Sequence, residues 1–193
     1  DSDHPRILGA FNEKTPDWLS FFMFTFLTDR DGKYQLAALA ESGFDPLSRT
    51  CKFMLTEEAH HLFVGESGIS RILQRTCEVM KEIGSTDADK VRNAGAIDLP
   101  TIQKYLNFHF SVTLDLYGSE ISTNAANFYT EGLKGRFEET GIDDDHQLQS
   151  SHYSVPDLSG ENIIARDVPA LTALNERLRD DYIVDCAKGV DRF

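Results

Sequence analysis

Residues 17–63 read DWLSFFMFTFLTDRDGKYQLAALAESGFDPLSRTCKFMLTEEAHHLF, and this stretch decides the fold. Thr15-Pro16-Asp17 just before it is a helix start, with a capping hydroxyl, a proline at a first-turn position and an acid at the positive end of the helix dipole. Leu19, Phe21, Phe22, Phe24, Phe26 and Leu27 make the next turns apolar almost all round, the pattern of a buried helix. Gly32 weakens that helix by about 1 kcal/mol relative to alanine, but QLAALAE at 35–41 restores strong helix formers. The expectation is one helix from about residue 16 to about residue 42. Ser42-Gly43-Phe44-Asp45-Pro46 then stops and restarts the chain, with a glycine for the left-handed end, an aspartate cap and a first-turn proline. A second helix follows from Pro46 to at least Val64. Gly65-Glu66-Ser67-Gly68 is expected to kink or end it before helical spacing resumes over 69–83.

Farther along, residues 84–98 read as a polar connection holding at most one short helical turn, and Leu99-Pro100 opens a third helix through Tyr117. Residues 119–133 extend that helix or form a fourth, and 138–151 read as an acidic loop. Tyr153-Ser154-Val155 and Ile163-Ile164-Ala165 flank a turn-rich segment, so a small β-hairpin is expected near 153–165. A last helix runs over Pro169–Lys188, with Leu171, Leu174, Leu178, Tyr182 and Ile183 inward. The fold class is mainly α. Residues 1–193 are expected to form a single helical domain. Within it, 15–83 is an antiparallel helix pair, and 99–193 supplies the remaining helices and the hairpin.

Composition narrows the function. The 193 residues carry 19 basic and 32 acidic side chains, a formal charge of −13. That balance argues against nucleic acid, whose binding rests on Lys and Arg neutralising phosphates. No apolar run approaches the ~18 residues of a membrane span. Three widely spaced cysteines, Cys51, Cys77 and Cys186, read as reduced thiols of a cytosolic protein.

The chemistry concentrates in Glu57-Glu58-Ala59-His60-His61. A Glu and a His three residues apart project from one helical face, which lets one helix offer a carboxylate and an imidazole to the same ion. Two such pairs overlap here. Glu58 and His61 share their face with Cys51, Met54, Leu55, Leu62 and Gly65, so they are the favoured pair, with Glu57 and His60 as supporting or exposed neighbours. By itself this motif is more often an exposed charged face. Asp29 changes the weighing, because it shares a face with Trp18, Phe22, Phe26, Leu36 and Ala40, where an ionised carboxylate is costly unless paired or metal-bound. Asp29 and Glu58 each lie about 14 residues from the bend, so an antiparallel pair stands them at one height. Two oxygens and one nitrogen suit iron or manganese better than a thiolate metal.

These strings, together with CKFMLTEEAHHLFVGESGISR, DLPTIQKYLNFHFSVTLDLYG and NERLRDDYIVD, closely resemble the oxygenase components of bacterial benzoyl-CoA epoxidases over essentially the whole chain. The resemblance implies a cytoplasmic protein with a ferritin-like helical bundle and a di-iron carboxylate centre. It also implies use of O2 and of electrons from NADPH, passed on by a separate flavin and iron–sulfur reductase, to epoxidise the ring of benzoyl-CoA. By that resemblance Asp29, Glu58 and His61 are the iron ligands of one half-site, with no catalytic residue beyond the ligands. The family's other half-site, a Glu and another Glu-x-x-His, comes from helices upstream of the matched part, so this chain is expected to be a partial bundle belonging to a longer oxygenase. Asp1-Ser2-Asp3-His4 and Asp143-Asp144-Asp145-His146 have the three-residue spacing but sit in polar, irregular segments.

Lesser signals have plain readings. Cys51 reads as a buried small hydrophobe, and His109 as a satisfied core histidine. Arg71 and Arg75 read as a solvated face balancing the acids, with contact to the anionic coenzyme A part of a substrate as the alternative. Asn124-Ala125-Ala126-Asn127 is small and polar enough to line a cavity.

Overall fold

The computed structural model describes residues 14–117, 152–160 and 162–193. Helix α1 spans Trp18–Ala40, α2 Asp45–Ile83, α3 Ala88–Asn93 and α4 Leu99–Leu114, ending in a 3₁₀ turn at Asp115–Tyr117. Strands β1 (His152–Ser159) and β2 (Asn162–Pro169) form one antiparallel hairpin, and α5 spans Ala170–Val190. The expected mainly helical fold with a small hairpin is what the chain adopts. The segments 1–4, 119–133 and 138–151, with the two Asp-rich candidates and Asn124–Asn127, lie outside the described residues.

The start of α1 is capped differently from the expectation. The Asp17 carboxylate accepts from the Ser20 N–H at 2.7 Å and from the Tyr105 hydroxyl at 2.8 Å, so Asp17, not Thr15, supplies the capping oxygen. The larger difference is in α2, which runs unbroken through Gly65 and Gly68. These glycines do not end the helix. They let α1 come close: a Cβ added at Gly65 would lie 2.6 Å from the Phe26 backbone nitrogen, 2.8 Å from its Cα and 2.9 Å from the carbonyl carbon of Thr25.

The chain divides into two compact units. The first comprises the described residues of 1–33, 56–116 and 184–193. Met23, Phe26, Leu27, Ile69, Val79, Val91 and Ile102 form its buried interior. Polar pins hold the helices together there. The Ser20 hydroxyl meets His109 Nε2 at 3.3 Å, and the Thr28 and Thr113 hydroxyls meet at 3.1 Å. His109 is thus a satisfied core histidine. From α5, Asp185 pairs with Arg30 at 2.9 Å and Lys33 at 3.1 Å, and Arg192 grips Glu66 with two hydrogen bonds of 2.7 and 2.6 Å. Asp98 caps α4 through the Thr101 N–H at 3.0 Å and pairs with Arg92 at 2.6 Å. Trp18 departs from the buried helix expected of its segment. It is 72% exposed and packs on Phe21 and Phe22, its neighbours on the same helix.

The second unit comprises residues 34–55 and the described part of 117–183. Leu36, Ala40 and Cys51 form a buried cluster covered by Leu39, Leu47 and Leu55, which places Cys51 as the small buried hydrophobe expected. The Ser48 hydroxyl donates to the Ala40 carbonyl at 2.5 Å and ties the start of α2 to the end of α1. Tyr34 donates to the Asp181 carbonyl at 3.1 Å and meets the buried Tyr182 edge-on. In the hairpin the register runs from His152 opposite Pro169 to Ser159 opposite Asn162. The strands exceed the expected 153–155 and 163–165, and β1 runs through Pro156, which stands opposite Ala165. In a two-stranded ribbon both strands are edges, where a proline costs little. Gly160, at φ +63°, makes the turn.

Candidate metal centre

Asp29 stands midway along α1, and Glu58 and His61 stand one turn apart on α2. The spacing of three keeps Glu58 and His61 on one face, and the antiparallel return of the chain brings Asp29 opposite them. One ligand atom from each lies within 4.8 Å of the other two. His61 Nδ1 is 3.6 Å from Asp29 Oδ2 and 3.8 Å from Glu58 Oε2. These separations are too long for direct hydrogen bonds and are compatible with donors surrounding a shared ion. Glu57 and His60 are exposed, as neighbours facing away from that point should be.

The electrostatics describe a site short of positive charge. Burial pushes the Asp29 carboxyl above its ordinary value, with His61 opposing. Burial, and then the carboxylate of Asp29, push Glu58 up as well. Glu58 Oε2 is buried without a hydrogen-bond partner, and a buried carboxylate oxygen left unsatisfied carries a desolvation penalty. A cation seated between the three side chains would relieve the mutual repulsion and satisfy that oxygen. His61 is half open to solvent, whereas Asp29 and Glu58 are mostly covered, so an ion would be approached from the imidazole side. The donor set therefore fits iron or another hard to borderline divalent metal.

Two supporting features escaped the sequence reading. Gly32 is the one-turn neighbour of Asp29, and a Cβ there would come within 3.3 Å of the Glu58 carboxyl carbon and Oε1. In sequence it reads only as a weak helix residue, although it makes room for the Glu58 side chain. Arg30, next to Asp29, is 3% exposed, lies over the Phe26 ring at 4.6 Å and is held by Asp185. That arginine anchors the backbone carrying Asp29 and is already committed to a carboxylate of its own.

Among the described residues no helix is long and apolar enough to cross a membrane. No family model matches the chain. Along all 193 residues, however, the chain is 75% identical to benzoyl-CoA oxygenase component B of Aromatoleum evansii, and it spans 41% of that relative's length.

Proposed function

We propose that this chain carries one half of the iron centre of an oxygenase that oxidises the ring of benzoyl-CoA. The observation that carries the reading is the convergence of Asp29, Glu58 and His61 within 4.8 Å, with Glu58 Oε2 buried and unpartnered. The name of the Aromatoleum evansii relative supports the substrate and the oxygenase class, and the words "component B" support a second protein component. The finer reading is a ferritin-like di-iron enzyme of the cytoplasm. It consumes O2, draws electrons from NADPH through a flavin and iron–sulfur reductase, and forms the 2,3-epoxide.

In this reading Asp29 and Glu58 supply two anionic oxygens, and His61 supplies a neutral nitrogen whose lone pair is directed at the ion. Iron, when bound, supplies the redox chemistry that activates dioxygen. The protein's own work is to position the donors and keep water away. Phe26, fully buried three residues before Asp29, lies with its backbone against Gly65 of α2 and so fixes the spacing of the two ligand-bearing helices. Arg30, held by Asp185 at 2.9 Å, keeps that stretch of α1 fixed against the rest of the bundle. Gly32 leaves the space in which the Glu58 carboxylate lies.

The test is substitution in the whole oxygenase component. Glu58→Ala and His61→Ala should each abolish iron loading and ring oxidation, and unchanged iron content with unchanged turnover would overturn the reading. A second reading, a helical fragment whose half-site is inert, is favoured by one observation: Asp29, Glu58 and His61 all come from two helices and form the one such group among the described residues. Metal analysis separates the two. A complete four-helix centre holds about two irons per chain, whereas an isolated half-site holds at most one weakly bound ion. A third reading, a related di-iron oxygenase with another substrate, is separated by product analysis with benzoyl-CoA against free benzoate.

A further inference from the structure

The last turns of α5 reach the two ligand-bearing helices at the level of the metal ligands. Asp185, Gly189 and Arg192 are spaced by four and then three residues, so they share one face of α5. That face covers about 10 Å at 1.5 Å per residue, and each residue on it takes a different hold. Asp185 accepts from Arg30 at 2.9 Å and from Lys33 at 3.1 Å, both on α1. Arg192 donates to Glu66 on α2, from Nε at 2.7 Å and from Nη2 at 2.6 Å. Gly189 lies between them, where an added Cβ would come within 2.8 Å of the tip of the Phe26 ring and 3.2 Å of the Arg30 guanidinium. Phe193 closes the end, with its ring 5.2 Å from that of Phe26.

These holds bracket the ligands. Arg30 and Lys33 follow Asp29 toward the bend that joins α1 to α2, whereas Glu66 follows His61 away from it. The level of Asp29, Glu58 and His61 therefore lies between the two grips. Phe26, one turn before Asp29, is fixed on two sides, its backbone against Gly65 of α2 and its ring against Gly189 of α5. Arg30 projects about 100° round α1 from Asp29, so its guanidinium serves α5 while the neighbouring carboxylate meets Glu58 and His61. Burial would raise the Asp185 carboxyl, but Lys33 and Arg30 hold it below its ordinary value, and Arg192 holds Glu66 below its own. Both grips are thus ionic at neutral pH. The fork of Arg192 on Glu66 adds geometric precision to its strength, and ion pairs joined in a network hold better than isolated ones.

We propose that the end of α5 is a positioning element of the metal centre, in which Asp185 and Arg192 hold Asp29 at its distance from Glu58 and His61 by clamping α1 and α2 from outside the site. The inference rests on the metal reading given above. Without an ion, the ionised carboxylates of Asp29 and Glu58 repel each other, and that repulsion pushes α1 away from α2. A clamp that grips both helices opposes it and keeps the three donors within the 4.8 Å that one ion can bridge. The cost of assembling the donors is then met on folding, and metal binding is stronger by that amount.

The experiment titrates cobalt(II), whose visible absorption reports the ligands around it, into the whole metal-free oxygenase component. Arg192→Gln and Asp185→Asn should each weaken cobalt binding about tenfold, the lower end of the cost of losing a group that supports a metal ligand, and should shift the absorption band. Arg192→Lys keeps the charge without the fork and should recover part of the affinity. Glu66→Gln should match Arg192→Gln, and the double variant Glu66→Gln/Arg192→Gln should lose no more than either alone, because both remove one contact. Arg49→Gln, which breaks an ion pair with Asp45 inside α2, should leave cobalt affinity and spectrum unaltered. Wild-type affinity and spectrum in both Arg192→Gln and Asp185→Asn, with only Tm lowered, would overturn the proposal and assign these pairs to stability alone. Glu58→Ala tells that failure from failure of the metal reading: it loses cobalt if the metal reading holds, and cobalt binding like the wild type would overturn both.

Discussion

Gly65→Ala isolates the contact that sets the distance between the two helices carrying the metal ligands. The added Cβ would lie 2.6–2.9 Å from backbone atoms of Thr25 and Phe26, whereas carbon atoms rest at about 3.5–4.0 Å. Backbone cannot rotate aside, so α1 and α2 must separate by about 1 Å at this point. Overpacking of this kind costs about 1–3 kcal/mol, and alanine returns about 1 kcal/mol of helix propensity. The net loss is about 1–2 kcal/mol, which for a chain of this length lowers Tm by about 2–8 °C. Gly65 lies four residues after His61, and Phe26 three before Asp29, so the displacement reaches the site. A gap of 3.6 Å between His61 and Asp29 that opens by about 1 Å no longer suits one ion. Thermal unfolding and ferrous-ion titration should both report the change, in Tm and in affinity. Gly32→Ala is the contrasting variant. There the new Cβ meets only the end of the Glu58 side chain, at 3.3 Å, so stability should hold or rise while iron affinity falls. A Gly65→Ala protein that is more stable, as an ordinary helix-interior substitution would be, and that binds iron like the wild type would refute the close-approach argument.

The remaining expectations concern pH and caps. Because burial holds the Glu58 carboxyl above its ordinary value, the folded chain binds more protons than the unfolded one above that value, and stability falls as pH rises through the window. Metal-free Glu58→Gln should therefore be more stable than metal-free wild type at neutral pH, by a margin that grows from about pH 4.5 upward. A pH-independent margin in melting curves would contradict this. Asp98 behaves oppositely. Burial would raise it, but hydrogen bonds from Arg92 and Thr101 hold it down to about 2. Its contribution is present above the ordinary value of 3.8 and is lost as pH falls toward 2. Asp98→Ala should cost about 1–2 kcal/mol at neutral pH through loss of the α4 cap, with the difference from wild type shrinking in acid. A difference that persists at pH 2 would rule this account out.

The bend that joins α1 to α2 was legible in sequence because it depends on neighbouring residues. Gly43 and Pro46 mark the bend between α1 and α2, but Gly43 does not take the left-handed conformation expected of it, and Asp45 is the first residue of α2, paired with Arg49, instead of its cap. The Glu-x-x-His spacing puts Glu58 and His61 on one face by helical geometry alone, and equal distances from the bend set Asp29 opposite them before any packing is known. Those three residues were therefore named from the chain itself, and the resemblance to a benzoyl-CoA oxygenase came with the same strings.

Close approach between helices was not legible, because it depends on atoms far apart in sequence. Gly65 and Gly68 read as breakers, since glycine lowers helix propensity by about 1 kcal/mol. In the folded chain they are the points where Phe26 and Phe22 come against α2. Gly32 read as a weakness in α1, and only the position of Glu58 shows why a side chain there would crowd the site. Arg71 and Arg75 read as a solvated face because nothing local places an apolar slot beside them. The cavity lined by Phe22, Phe63, Ile72 and Ile97 forms only where the segment after α3 returns to α2, at which point the Thr76 hydroxyl donates to the Ile97 carbonyl at 2.6 Å. Local rules determined the elements and the ligand-bearing faces of this protein, and only the tertiary structure decided how near those faces come, because steric fit and desolvation are properties of assembled surfaces.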